Sequence, residues 1–195
     1  MDQSSTIQKH NHLGFFLRKG IHITTAVFPL LYLNHLLTKN EALYIGCAWL
    51  TIWIVADILR YTNKVPTYLT GVESKVDSKH LVNGAILGAI VALILLLTQN
   101  HVNAAIPLLV LSLADPMAAI IGVYLGRHKI PNTEKSYEGS TIFFIVTLLI
   151  LFWFLPLWLA VIASLIATLV ELYMDRFIDD NISIPLTILF FMLIL

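Results

Sequence analysis

From Thr141 to Val170 no residue carries a charge, and Pro156 stands near the middle of this run between Trp153 and Trp158. A single helix of that length would be about 45 Å long, against a bilayer hydrocarbon core of about 30 Å. Two short helices joined at "WFLPLW" satisfy both limits and put the tryptophans at the interface, where aromatic residues collect. The same criterion, roughly 20 apolar residues per crossing, marks candidate spans at about 21–37, 42–59, 81–97, 103–126, 140–155, 157–173 and 183–195. The predicted class is all-α, a polytopic transmembrane helix bundle of about seven spans with its active site at the cytosolic face. A composition of 58% hydrophobic and 12% charged residues does not suit an ordinary soluble domain.

The spans follow one another through short connections without a Pro/Gly/Ser-rich linker or an internal repeat, so residues 1–195 read as one domain. The first 16 residues lack the basic start, apolar stretch and small-residue cleavage site of a secretory signal, and read as an interfacial or flexible segment. Cys47 is the single cysteine, which leaves no intrachain disulfide.

Charge placement sets the orientation. With seven spans and the N-terminus inside, Lys9, Arg18, Lys19, Arg60, Lys64, Lys75, Lys79, Arg127, Lys129, Lys135 and Arg176 share one face, leaving only Lys39 of the 12 basic residues opposite. That is the positive-inside pattern of a multi-pass protein with a cytosolic N-terminus. Outside the spans, all acidic residues but Glu41 gather on the same face. Both signs concentrated on a few loops suggest a site for chemistry.

Asp115 lies within the fourth candidate span, in "SLADPMAAIIG", where an ionised carboxylate costs several kcal/mol unless it is paired or hydrated. At helical spacing Asp115, Ala119, Gly122 and Gly126 share a face with little side-chain bulk. That face suits the close approach of a phosphate or of a partner helix, because "GVYLG" also fits a small-xxx-small packing motif. Gly84 and Gly88 form a second such pair. Pro116 removes a backbone hydrogen bond and is expected to open the helix locally.

Arg127, Lys129, Lys135, Ser136, Glu138 and Gly139 lie together in "GRHKIPNTEKSYEGS" (126–140) with His128 and Glu134. Cations, hydroxyls and glycine amides are what a polyphosphate requires, although a Walker A spacing is not matched. An ordinary positive-inside loop has the same composition. "ELYMDRFIDDNISIPL" (171–186) brings Glu171, Asp175, Asp179, Asp180 and Asn181 into one segment. Such an oxygen-rich set suits Mg²⁺ held jointly with substrate phosphates, or else a solvated acidic loop. Arg18, Lys19 and His22 sit at the mouth of the first span, where snorkelling to headgroups is the competing role. Asp57 and Arg60 are spaced as an i, i+3 ion pair. "HNH" (10–12) has no companion ligands at a zinc spacing.

In this order on a polytopic chain, "RKGIH", "LADPMAAIIGVYLGRHKIP", "EKSYEGS" and "IDDNISIPL" resemble the CTP-dependent lipid-alcohol kinases, the family of dolichol kinases, phytol kinases and CTP-using diacylglycerol kinases. The resemblance covers about residues 17–186. Its middle part is similar also to the phosphatidate cytidylyltransferases, so the early Arg-Lys pair and the late D-D-N-x-x-x-P make the choice between them. The resemblance implies that Asp115, Arg18, Lys19 and Asp180 are catalytic. Gly122, Gly126, Arg127, Lys129, Lys135, Ser136, Glu138 and Gly139 would then bind CTP, and Asp115, Asp179 and Asp180 would hold Mg²⁺. His22, Asp57, Glu171 and Asn181 are further candidates. Pro116 directly after the aspartate departs from the family pattern.

The expected activity is transfer of the γ-phosphoryl group of CTP to a membrane lipid alcohol such as diacylglycerol, a polyprenol or a phytol-like chain. A cytidylyltransferase forming a CDP-lipid is the alternative, and a small transporter with Asp57 and Asp115 on a cation or proton path is the second. The expected partners are CTP, the lipid alcohol and the bilayer, with no nucleic acid; the two small-residue faces leave a homodimer open.

Overall fold

A computed structural model describes residues 15–16, 19–62, 84–131, 133, 135–174 and 178–194, with the side chains of Arg60 and Tyr61 excepted. Among the described residues the helices are α1 (Val27–Leu33), α2 (Lys39–Tyr61), α3 (Gly84–Thr98), α4 (His101–Tyr124), α5 (Tyr137–Leu151), α6 (Leu157–Tyr173) and α7 (Asp180–Met192). No strand occurs among them, and Lys129 and Ser136 form an isolated antiparallel bridge. The all-α expectation holds.

The charge-free run divides as its proline requires. Helix α5 ends at Leu151, the chain turns through 152–155, and Pro156 in an extended conformation caps α6. Trp153 is 80% and Trp158 62% exposed at this turn. The two helices pack on each other as a hairpin.

The first candidate span, 21–37, is not one continuous helix. A helical turn from Lys19 to Thr24 is followed by a turn at 25–26, then by α1. The ring of Pro29 conflicts with a helical carbonyl four residues back, at Thr25. The hydroxyls of Thr24 and Thr25 also donate to the carbonyls of Ile21 and His22, drawing this segment away from a regular ladder. Pro116 behaves otherwise: α4 runs unbroken through both Pro107 and Pro116, so the expected local opening of the helix is absent. Both prolines are fully buried, and tight packing holds the helix together across the missing hydrogen bonds.

Helix α4 is the axis of the molecule. Its Ile106, Val110, Ala114 and Ala118 meet Phe143 of α5, Ala160, Ala163 and Ala167 of α6, and Ile184 and Ile188 of α7 in one buried cluster. Alanine at three points along one face of α6 lets the backbones approach closely. A second cluster joins Tyr32, Val91, Leu95 and Leu96 to Ala104, Ala105 and Leu108. Helix α2 lies at the periphery, with Gly46 seated against Leu93 of α3.

Among the described residues two helices, α2 over Lys39–Leu59 and α4, are long and apolar enough to cross a membrane. Helices α3, α5, α6 and α7 are apolar but shorter. Their 15, 15, 17 and 13 residues give lengths of about 20–26 Å.

Candidate functional site

Asp115 projects from α4 toward the helical turn that begins at Lys19. Lys19 Nζ donates to Asp115 Oδ2 at 2.8 Å, and His22 Nδ1 lies 3.4 Å from the same oxygen. Lys19 and His22 are three residues apart, so one helical turn presents both to one carboxylate. The Lys19 and Asp115 side chains are only 11% and 15% exposed. Lys19 and His22, singled out at the mouth of the first candidate span, thus meet the acid of α4 directly. Arg18, their neighbour, lies outside the described residues.

The connection between α4 and α5 is a small folded loop. Ile130 N donates to Lys135 O and Tyr137 N to His128 O. Ser136, which is buried, caps α5 by accepting from Gly139 N at 3.2 Å. A Cβ on Gly139 would lie 2.8 Å from Ala118 O and 3.2 Å from Gly122 Cα, and one on Gly126 only 2.5 Å from Ser136 Oγ. Gly122, Gly126 and Gly139 therefore let the start of α5 press onto the end of α4, with the Ser136 hydroxyl between them. Of the two uses open to the small-residue face, the geometry gives it to a partner helix.

Glu138 closes the loop. Its Oε1 accepts from the amides of Arg127 and His128, each at 3.2 Å, and lies 2.7 Å from His128 Nδ1. Glu138 stands on the loop side of the 140–155 candidate span. The His128 ring, followed by the loop amides, holds its carboxyl down to about 2. Arg127 and Lys129 point into the exposed surface of the same loop. Glu134 lies outside the described residues.

Lys135 reaches across to the acidic segment. Its Nζ is 2.8 Å from Glu171 Oε1 and 3.3 Å from Asp180 Oδ2, and it also donates to the Glu171 carbonyl. One lysine thereby ties the α4–α5 loop to the end of α6 and the start of α7. Asp179 instead caps α7, accepting from Asn181 N at 2.8 Å and from Asn181 Nδ2 at 2.7 Å. Asn181 in turn lies over the first turns of α3, where a Cβ on Gly84 would be 2.7 Å from its Nδ2 and one on Gly88 3.3 Å from its Oδ1. The second glycine pair is the seat of α7. Asp57 is half-buried on α2, its expected partner Arg60 having no described side chain; Asp175 lies outside the described residues.

All these contacts fall at one end of the bundle, where α4, α6 and the N-terminal turn bring acids and bases to the starts of α3, α5 and α7. Among the described residues no three His, Cys, Asp or Glu side chains come together to hold a metal. Asp115, Asp179 and Asp180 are thus not gathered into one three-carboxylate site: a lysine faces the first, a helix cap takes the second, and Lys135 faces the third. Mg²⁺ needs only one or two carboxylates when phosphates and water complete its shell; Asp115 and Asp180 each offer oxygen ligands of that kind, the first beside Lys19 and the second beside Lys135. Sequence reasoning chose most of these residues but missed the His128–Glu138 pair and the packing of Asp179 and Asn181 on Gly84 and Gly88. The first had a signal in a His and a Glu ten residues apart in one short segment; the second had none, because α3 and α7 are far apart in the chain.

No family model matches the chain. No solved structure matches it either. The uncharacterized protein RP860 of Rickettsia prowazekii is 28% identical over 188 residues, which cover 87% of this chain and 89% of that protein. The uncharacterized protein MJ1137 of Methanocaldococcus jannaschii is 33% identical over 150 residues, covering 76% of this chain and 71% of that protein. At that identity and coverage, the chain belongs to the same family as MJ1137.

Proposed function

We propose that the protein is a multi-pass membrane enzyme that transfers the γ-phosphoryl group of CTP to the hydroxyl of a lipid alcohol at the cytosolic face. In this reading the apolar segments make up to seven crossings with the N-terminus inside. The observation that carries the proposal is the meeting of Lys19, His22 and Asp115, and of Lys135, Glu171 and Asp180, at one end of an apolar bundle. The resemblance in "RKGIH", "EKSYEGS" and "IDDNISIPL" supplies the nucleotide and the acceptor.

Phosphoryl transfer depends on positioning and on offsetting phosphate charge more than on covalent chemistry by the protein. Lys19 and Lys135, with Arg127 and Lys129 on the loop and Arg18 beside Lys19, supply the positive charge. Asp115 and Asp180 would hold Mg²⁺, which neutralises charge developing on the phosphates. CTP enters from water, while the alcohol arrives laterally from the bilayer.

Product analysis tests this reading. Purified protein given CTP, Mg²⁺ and a panel of diacylglycerol, polyprenol and phytol is expected to release CDP. Release of pyrophosphate with formation of a CDP-lipid from phosphatidate would establish the cytidylyltransferase reaction instead. Ion flux in proteoliposomes without nucleotide turnover would establish a transporter.

A further inference from the structure

A groove of about 470 Å³ runs between the end of α4 and the start of α5. Ile121, Leu125, Ile142 and the ring of Tyr137 line it, and His128 and Glu138 stand at its mouth. The groove is shallow and open along one side. Two observations place this groove at the level of lipid headgroups. Tyr124 and Tyr137 are about half exposed beside it, at 46% and 56%, and Phe16 stacks on Tyr124 with ring centroids 4.8 Å apart. Such aromatic collars mark the boundary between hydrocarbon and water.

The polar end of the groove is built rather than incidental. Two loop amides and the His128 Nδ1 all converge on Glu138 Oε1, which fixes the imidazole although its side chain is 78% exposed. In the tautomer that donates Nδ1–H to the carboxylate, the other ring nitrogen, Nε2, is a hydrogen-bond acceptor. A groove with apolar walls and a polar end made by His128, Glu138 and the Thr141 hydroxyl matches a molecule with an apolar chain and a hydroxyl at its head. The Glu138 carboxylate beside it opposes an anionic head. Arg127 and Lys129, the neighbouring cations, are exposed on the same loop, toward the water from which a nucleotide would come.

We propose that this groove is the docking site of a lipid alcohol, with the chain along Ile121, Leu125 and Ile142 and the hydroxyl donating to His128 Nε2. This rests on the phosphoryl-transfer reading for the identity of the occupant as acceptor, and it names His128 as the group that recognises the hydroxyl. Glu138 is the positioning residue that holds the ring. Ser136, bridged to Lys129 across the loop, and Lys135 before it lead from the groove to the Lys135–Asp180 contact.

Photolabelling tests it without relying on turnover. Full-length protein in phosphatidylcholine nanodiscs is exposed to a diacylglycerol carrying a diazirine in one acyl chain, and separately to a polyprenol probe of the same kind. With one of the probes, label is expected in segments 121–125 and 137–142, displaced by the unlabelled alcohol and not by phosphatidate. Ile142→Trp, which fills the groove, is expected to cut this label at least five-fold. His128→Gln, in protein with an unchanged unfolding midpoint, is expected to raise the alcohol concentration needed for displacement at least three-fold. Label spread evenly over the exposed faces of α2 and α6 with both probes, or displaced equally by phosphatidate, would overturn the proposal.

The two readings fail separately. Groove labelling in a protein that releases no CDP supports the groove and removes the kinase. CDP release by Ile142→Trp at an unchanged KM for the alcohol supports the kinase and removes the groove.

Discussion

Asp115 is a costly side chain at its position in α4, and Lys19 and His22 offset that cost. Removing one member of a buried charge pair leaves the other uncompensated, typically at about 3–5 kcal/mol. Lys19→Met is therefore expected to destabilise the folded protein by about that much, read from chemical unfolding in detergent, whereas Lys19→Arg retains most of the stability. If Lys19→Met unfolds at the wild-type midpoint, the pair contributes nothing. Glu138 gives a test in pH. Its folded value is depressed to about 2 from the ordinary 4.5, so the stability it adds is present above about 4.5 and is lost as pH falls toward 2. The loop is expected to keep its Glu138–His128 contact at pH 3.5, as read by the side-chain carboxyl shift in NMR. A carboxyl that protonates at the ordinary value contradicts the contact. At this scale the sequence identified Asp115, Lys19 and His22 from burial cost and charge. Their pairing across 96 residues was not legible, because nothing in the chain encodes the distance between two segments.

Among the elements, prolines and glycines mark both what was legible and what was not. Pro156 in a charge-free run signalled a break because bilayer thickness forbids one long helix, and the chain turns there. Pro116 looked like a break by the same local rule, yet α4 passes through it, held by packing that only the tertiary structure supplies. Pro29 was passed over within an apolar run, and with Thr24 and Thr25 it interrupts the first helix. The glycines of α4 and its loop were legible as a surface of close approach, but what approaches was not. Gly139→Val is expected to force α5 away from Ala118 O and Gly122, costing about 1–3 kcal/mol as an overpacked contact does. Unfolding of that variant at the wild-type midpoint would show that α5 can move aside freely.

For the whole molecule, the proposed topology has the α4–α5 loop and the α5–α6 turn on opposite faces of the bilayer. The all-α class was legible from composition and run length alone. The number of crossings was less so, because five of the seven described helices, α1 with its 7 residues among them, are shorter than a bilayer core is thick and span by neighbours or local thinning in this reading. A Cys47→Ser background with single cysteines at His128 or Trp153 tests the orientation in sealed vesicles. A membrane-impermeant maleimide is expected to reach position 128 from the cytosolic side and 153 from the other. Reaction of both from one side would contradict the hairpin crossing.

In the proposed reaction the acid–base cluster at one end of this bundle moves a phosphoryl group from CTP to a lipid alcohol. The direct measurement supplies γ-labelled CTP, Mg²⁺ and the alcohol panel to wild type and Asp115→Asn, followed by extraction into organic solvent. The expected result is label in a lipid phosphate with wild type, reduced at least 100-fold in Asp115→Asn and abolished by chelation of Mg²⁺. Wild type that transfers no label to any alcohol, or Asp115→Asn that transfers it at the full rate, would contradict the claim.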